Sequence, residues 1–167
     1  DLETAEIAIQ AALTGHLVLA TLHTNDAAGA INRLLDMGVE NYLLASTLNG
    51  VLAQRLVRRL CRSCKESYQP EQSRLQSLQQ ELQEQDQVYQ AVGCEECNNI
   101  GFAGRLGVYE LLTVGAEITS AISRGERLEE IRQLARKQGL ESLFADAWQK
   151  FKAGQTTIDE IIRVTRN

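Results

Sequence analysis

The spacing of apolar residues changes along the chain and predicts helices and strands in turn. Residues 2–13 are rich in Ala, Ile and Glu and lack Gly and Pro, which favours a helix that ends at Gly15. Residues 17–22 form a nearly continuous apolar run, typical of a strand that is covered on both faces in a parallel sheet. We therefore expect an α/β fold in this part of the chain.

Helical spacing returns after this run. Asn25 or Asp26 can cap a helix that stops at Gly38. From Asn41, apolar residues recur at helical intervals as far as Val51. Two consecutive helices are therefore predicted between the first strand and the middle of the chain.

Two strand-like segments enclose a long polar excursion. Residues 53–60 and 106–112 both have strand character, and we expect them to pair. The excursion between them is rich in Gln and acidic residues, and Pro70 can open a helix within it. That helix has only a narrow apolar stripe, formed by Leu75, Leu78 and Leu82. It should be exposed and weakly docked.

The C-terminal part of the chain is predicted to be helical. Apolar residues mark two successive helix faces, separated by Gly139, and Gly154 ends the second helix. Thr157 followed by Glu160 has the spacing of a capping box before a last helix. The aromatic residues of this region, Phe144, Trp148 and Phe151, are better explained by a small helical core than by a cofactor stack.

Composition limits the classes of function. The chain has 167 residues, 44% of them hydrophobic, so it can bury a core, but the changing patterns predict subdomains. A net charge of −5 argues against a general nucleic-acid binder, which needs an excess of Lys and Arg. No apolar run reaches the roughly 18 residues of a membrane span. The opening residues lack an initiator Met, which suggests a fragment or an excised domain.

Four cysteines form two Cys-x-x-Cys pairs and are the only cysteines in the sequence. Two such pairs can supply the four thiolates of a structural Zn²⁺ site, although 29 residues separate the pairs. A redox-active pair or two disulfides are the alternatives. The predicted ligands are Cys61, Cys64, Cys94 and Cys97.

Polar residues at the end of the first predicted strand are candidates for chemistry. His23 and Thr24 follow residues 17–22, and ligands in open α/β sheets gather at the carboxyl ends of strands. A histidine there can also simply bond a loop carbonyl. A second candidate is a phosphate-binding role for Arg55, Arg58 and Arg59, for which a solvated strand face is the alternative, favoured for the last two.

Several segments together resemble the traffic ATPases of type II secretion and type IV pilus assembly. These are the opening Asp-Leu-Glu-Thr, the Thr-Gly-His-Leu-Val-Leu-Ala-Thr-Leu-His-Thr-Asn-Asp run of residues 14–26, Ala-Gln-Arg-Leu at 53–56, the paired Cys-x-x-Cys motifs, and Gly-Phe-Ala-Gly-Arg at 101–105. The resemblance spans nearly the whole chain. Its histidine and tetracysteine motifs are specific in combination.

The resemblance implies a cytoplasmic homo-hexameric motor, peripheral to the inner membrane, that hydrolyses ATP with Mg²⁺ and works with membrane platform proteins. It implies that residues 1–52 end a RecA-like domain, that 53–112 enclose the metal module at 61–97, and that 113–167 form a helical subdomain. His16 and His23 match the family's two histidines, with His23 nearer the γ-phosphate, and Thr24 and Arg105 match nucleotide-contacting positions.

The sequence lacks one part of such a motor. No Gly-x-x-x-x-Gly-Lys-Ser/Thr phosphate loop occurs in these residues, so the resemblance places that loop upstream and predicts that this chain alone is inactive. A zinc-stabilised adaptor that binds proteins without nucleotide is the alternative function. A zinc-ribbon nucleic-acid binder is a third possibility, disfavoured by the charge.

Overall fold

The computed structural model describes residues 1–83 and 85–165. Its elements are helices, strands and a 3₁₀ turn. In chain order they are α1 (Leu2–Leu13), α2 (Ala27–Asp36), α3 (Asn41–Thr47), β1 (Gly50–Leu60), β2 (Glu66–Ser67), α4 (Gln72–Ser77), β3 (Tyr89–Gln90), a 3₁₀ turn (Glu95–Cys97), β4 (Phe102–Thr113), α5 (Ala116–Ser123), α6 (Leu128–Lys137), α7 (Leu143–Lys152) and α8 (Ile158–Thr165).

The described residues form two small sheets. β1 pairs with β4, which confirms the predicted partnership of the two strand-like segments. β2 pairs with β3 in antiparallel register, with Glu66 opposite Gln90 and Ser67 opposite Tyr89. The second pairing lies inside the polar excursion and brings its two ends together.

The chain divides into two compact units that are interleaved in sequence. The first unit comprises Asp1–Ala53 and Tyr109–Ser142, and the second comprises Gln54–Val108 and Leu143–Asn167. The predicted domains, residues 1–52, 53–112 and 113–167, follow one another in sequence, whereas these two units do not. The three predicted domains stay a prediction.

Helices build the core of the first unit. Ile31 of α2, Leu112 of β4, and Ile118 and Ile122 of α5 are essentially inaccessible to solvent. Each fully buried Ile or Leu contributes roughly 1.5–3 kcal/mol through removal of apolar surface from water. The cluster also includes Ile9, Ala27, Ala28, Val39, Leu44, Ala45, Ala121, Ile131 and Ala135.

An aromatic group anchors the core of the second unit. Trp148 of α7 stacks on Phe144 at 6.1 Å between ring centroids and contacts the buried Phe151 at 5.1 Å. Ile158 and Ile161 of α8 are also buried. The three aromatic residues therefore have a packing role in the second unit, as their helical spacing predicts.

The predicted strand at residues 17–22 is wrong. The described residues place no strand there, and Leu17 and Leu19 are 80% and 88% exposed. An apolar run becomes a buried strand only when other strands pair with it and other layers cover it. No described strand pairs with these residues, so the apolar run stays exposed. The predicted RecA-like parallel sheet is therefore not confirmed in residues 1–83 and 85–165.

Two smaller boundaries also differ from prediction. Val51 belongs to β1, because the helix that begins at Asn41 ends at Thr47. Helix α4 stops at Ser77 and does not reach Leu82. α4 is exposed or half-buried along its length, as its narrow apolar stripe predicts.

Candidate functional site

The four cysteines converge from two turns of the second unit. Cys61 follows the last residue of β1, and Cys64 ends the turn that leads into β2. Cys94 caps the 3₁₀ turn, and Cys97 closes it. The antiparallel pairing of β2 with β3 brings these two turns together from distant parts of the sequence.

The sulfur geometry fits a tetrahedral metal ion. The Sγ atoms of Cys61 and Cys94 are 3.9 Å apart, and those of Cys64 and Cys97 and of Cys94 and Cys97 are 3.8 Å apart. All four lie within 4.8 Å of one another. A tetrahedron with Zn–S bonds of about 2.3 Å has edges of about 3.8 Å. All four cysteines are free thiols, so the disulfide alternative is not supported.

Backbone N–H groups point at the sulfurs. Gly93 donates to Cys64 Sγ at 3.3 Å, and Cys94 and Gly101 each donate to Cys97 Sγ at 3.2 Å. Burial alone would raise the pKa of Cys97, but the hydrogen bonds from Cys94 and Gly101 outweigh it and lower the pKa to about 6. Burial raises the pKa of Cys64 to about 12, against the opposing bond from Gly93. These backbone N–H groups therefore stabilise negative charge on the Cys97 sulfur.

Two of these N–H donors are glycines that no other residue could replace without strain. Gly93 and Gly101 have φ of +126° and +75°. A Cβ on Gly93 would lie 2.7 Å from the carbonyl oxygen of Asn99, and one on Gly101 would lie 2.6 Å from the Cβ of Ala91. The knuckle around Cys94 and Cys97 therefore depends on both.

The metal module is fastened to the C-terminal helices of its own unit. Lys65 Nζ donates to the carbonyl of Gly154 at 2.8 Å and lies 4.0 Å from the ring centroid of Tyr89. Arg74 of α4 forms an ion pair with Asp159 of α8. Contacts with Gly154, which follows α7, and with α8 therefore hold the metal module in place.

Glu160 is a buried carboxylate that holds the same unit together. It accepts hydrogen bonds from the backbone N–H of Arg58 at 2.7 Å, from Arg58 Nε at 3.0 Å, and from Arg163 Nη2 at 2.7 Å. Burial alone would raise the pKa of Glu160, but the bonds from Arg163 and Arg58 outweigh it and hold the pKa at about 2. The backbone N–H of Glu160 donates to Thr157 Oγ1 at 3.4 Å, which is one of the two hydrogen bonds of the predicted capping box.

This carboxylate gives Arg58 a partner. Arg58 lies on an exposed face of β1, as the solvated strand face interpretation predicts, and its guanidinium also pairs with Glu160 and lies 4.1 Å from the ring centroid of Phe102. Arg59 donates from Nε to the carbonyl of Ala103 at 3.4 Å.

The predicted nucleotide residues lie in different units. His16, His23 and Thr24 belong to the first unit, and Arg105 belongs to the second. His16 Nδ1 lies 3.0 Å from Thr14 Oγ1, and Thr24 Oγ1 donates to the carbonyl of Asp26 at 3.1 Å. His23 and Arg105 are exposed. Their roles toward a nucleotide stay predictions.

A polar group surrounds the start of α2, immediately after His23. Ala27 N–H donates to Glu110 Oε1 at 2.9 Å, and Gly29 N–H donates to Asp26 Oδ1 at 2.7 Å. Arg132 of α6 donates to Asp26 Oδ2 at 2.8 Å. Sequence reasoning identified Asp26 as a possible cap but missed Glu110. Its signal was available, since Glu110 is the one charged residue in the apolar run 106–112.

Within residues 1–83 and 85–165, no helix has both the length and the apolar character needed to cross a bilayer.

A family profile matches almost the entire chain. The profile described as "Type II/IV secretion system protein" aligns with residues 1–163. The chain belongs to the type II/IV secretion system protein family. The resemblance drawn from its histidine and tetracysteine motifs is thereby confirmed.

Curated members of the family share about half of the chain's residues. Over 167 residues the chain is 48% identical to the type II secretion system protein HxcR of Pseudomonas aeruginosa, covering 100% of the chain and 32% of HxcR. Over 168 residues it is 47% identical to the type IV pilus assembly ATPase PilB of Thermus thermophilus, covering 99% of the chain and 19% of PilB. The chain thus spans about a third or less of these relatives.

Solved structures support the fold. The pilus retraction motor PilT with bound ADP matches with a TM-score of 0.66 and 25% identity, over 100% of the chain and 37% of PilT. The ATPase DotB of Legionella pneumophila matches with a TM-score of 0.62 and 21% identity, over 98% of the chain and 36% of DotB. The α/β architecture of the chain is therefore that of a part of these ATPases.

Proposed function

We propose that this chain is the C-terminal portion of a cytoplasmic ATPase that powers type II secretion or type IV pilus assembly by hydrolysing ATP. The whole-chain match to the secretion family carries this proposal, together with relatives that are named as ATPases of these systems. In the complete protein we expect a homo-hexamer that binds ATP and Mg²⁺ and contacts inner-membrane platform proteins. The phosphate loop is supplied by a segment upstream of Asp1.

His23 is assigned to the transferring phosphate. It is exposed and immediately precedes Thr24, whose hydroxyl is fixed to the carbonyl of Asp26. His16 and Thr24 complete the histidine segment of the proposed nucleotide site. Arg105 is exposed on β4, where a guanidinium can stack on an adenine ring. These roles follow the family motifs.

The tetracysteine site is assigned to structural Zn²⁺. Four thiolates fill a tetrahedral shell and leave no open position for substrate, so the ion would supply cross-linking of the two turns. Cys61, Cys64, Cys94 and Cys97 would hold it, and the N–H groups of Gly93, Cys94 and Gly101 would stabilise the thiolates. The redox-pair alternative needs only one Cys-x-x-Cys, whereas all four sulfurs converge here.

The test compares His23→Ala with the unmodified sequence in the complete protein. Removing a group that acts on the transferring phosphate should lower kcat about 100-fold, with a smaller change in the Kd for ATP. The control is Glu141→Ala, an exposed acid of the first unit. Unchanged turnover in His23→Ala would refute the assignment of His23. No turnover in the unmodified complete protein would refute the ATPase proposal itself.

One feature favours a second candidate, a zinc-stabilised adaptor that binds proteins without nucleotide. The chain contains a converged tetracysteine site but no phosphate-loop motif. The adaptor predicts that the complete protein binds no ATP, which equilibrium binding of a fluorescent nucleotide decides directly.

A further inference from the structure

The start of α2 is held from two other elements of the first unit. Ala27 is completely buried, and Glu110, only 7% exposed, reaches its N–H from β4, 83 residues away in sequence. The first N–H groups of a helix have no partner within the helix, and their partial positive charge favours a carboxylate. Glu110 satisfies one of them in the interior, where water cannot.

Asp26, the N-cap residue of α2, fixes the same end of the helix. One carboxylate oxygen accepts from Gly29 N–H at 2.7 Å, and the other accepts from Arg132 of α6 at 2.8 Å. A Cβ on Gly29 would lie 2.7 Å from Asp26 Oδ1, so a larger residue there would require the Asp26 carboxylate to shift. The carbonyl of Asp26 in turn accepts from the Thr24 hydroxyl at 3.1 Å.

These contacts form a continuous path from the core to the segment that carries His23. We infer that Glu110, Asp26 and Arg132 are positioning residues that fix His23 by anchoring the start of α2. This inference rests on the proposed function and adds residues that the family motifs did not single out. A small displacement of a catalytic group lowers turnover more than it lowers ground-state binding. Loss of the anchor should therefore lower kcat and leave KM nearly unchanged.

The experiment is a double-mutant cycle on ATP turnover by the complete protein. Glu110→Ala alone should lower kcat about 10-fold with KM within about 2-fold. In a His23→Ala background, the same substitution should lower kcat by no more than about 2-fold, because its effect passes through His23. A purely structural role for Glu110 predicts equal losses in both backgrounds.

Arg132→Ala provides a second cycle that leaves the core untouched, since Arg132 is half-buried. It should lower kcat about 3-fold alone and have little effect beside His23→Ala. Arg136→Ala, an exposed arginine one turn further along α6, is the matched control and should leave kcat unchanged. If Glu110→Ala does not fold, the Arg132 cycle decides the question.

A measurement on this chain alone separates the inference from the proposed function. Amide hydrogen exchange at Ala27 should accelerate at least about 10-fold in Glu110→Ala, because the acceptor is lost. Unchanged exchange at Ala27, or additive losses in both kinetic cycles, would overturn the inference whether or not the protein is an ATPase. If His23→Ala has no effect on kcat, the inference falls together with the assignment of His23.

Discussion

Replacing Glu160 with Gln should destabilise the second unit without altering its shape. Gln keeps an acceptor for the backbone N–H of Arg58 but loses the charge that pairs with the guanidinium groups of Arg58 and Arg163. Hydrogen bonds to charged groups contribute about 1.5–3 kcal/mol each when buried. Both arginine side chains are more than half exposed, at 53% and 55%, and can regain water. We therefore expect a loss of about 2 kcal/mol in the free energy of unfolding at pH 7.

The loss should depend on pH in a defined direction. The pKa of Glu160 in the folded chain is about 2, below its ordinary value of 4.5. A lowered pKa contributes stability that is fully present above the ordinary value and disappears as the pH falls toward the folded value. The difference between the unmodified chain and Glu160→Gln should thus be largest above pH 4.5 and shrink between pH 4.5 and 2.

Trp148 supplies the assay. It is the only tryptophan in the sequence, is 6% exposed, and lies on α7 of the second unit, so its fluorescence reports unfolding of that unit. Urea unfolding is followed at several pH values for both chains and for Glu66→Gln, an exposed acid of the same unit. A difference between Glu160→Gln and Glu66→Gln below about 0.5 kcal/mol would refute the reasoning. A difference that stayed constant down to pH 2 would do the same.

Three further predictions concern the metal site and the nucleotide. Elemental analysis should find one Zn²⁺ per chain, and Cys94→Ser should release the ion. The release should also shift the Trp148 fluorescence, because α7 belongs to the same unit as the site, and full retention of zinc by Cys94→Ser would contradict the prediction. Gly101→Ala should weaken zinc binding in chelator competition by about 2 kcal/mol, more than Gly104→Ala, which shares the backbone strain of a positive φ but whose added Cβ would meet no described atom within 4 Å. Arg105→Ala in the complete protein should reduce ATP affinity by roughly 0.5–2 kcal/mol in equilibrium binding, with zinc content unchanged. Equal affinity would mean that Arg105 is a surface residue that does not contact the nucleotide.

The metal site could be predicted from the sequence because its information is local. Each Cys-x-x-Cys pair specifies a turn that aims two sulfurs at one point, and only the convergence of the pairs depends on the fold. The pairing of the two strand-like segments on either side of the cysteines was predictable for a related reason, since a closed excursion brings its flanks together.

The failure at residues 17–22 has a different physical origin. An apolar run indicates that a segment can form a buried strand, but its burial depends on other segments that pair with it and cover it. Leu17 and Leu19 have the composition of a buried strand and the exposure of a surface loop. The periodicity of the run alone could not reveal whether a described strand pairs with it.

The contacts of Glu160 and Glu110 could not be predicted from the sequence because their partners lie far away along the chain. Arg58 and Glu160 are 102 residues apart, and Ala27 and Glu110 are 83 apart. A capping-box pattern correctly indicated the start of α8, yet the Glu160 carboxylate binds Arg58 of β1 as well as Arg163 of its own helix. Local rules identify which residues can accept a hydrogen bond, and only the folded chain decides which donor they meet.

The attachment of the metal module to α7 and α8 limits how it can be exchanged between proteins. The segment from Cys61 to Cys97 contains all four cysteines, but Lys65 and Tyr89 contact Gly154, where a Cβ would lie 2.5 Å from the tyrosine ring. A recipient that received only this segment would lack the glycine turn on which it packs. Recombination between family members should therefore preserve the segment and the turn at Gly154 as a pair, although more than fifty residues separate them in sequence.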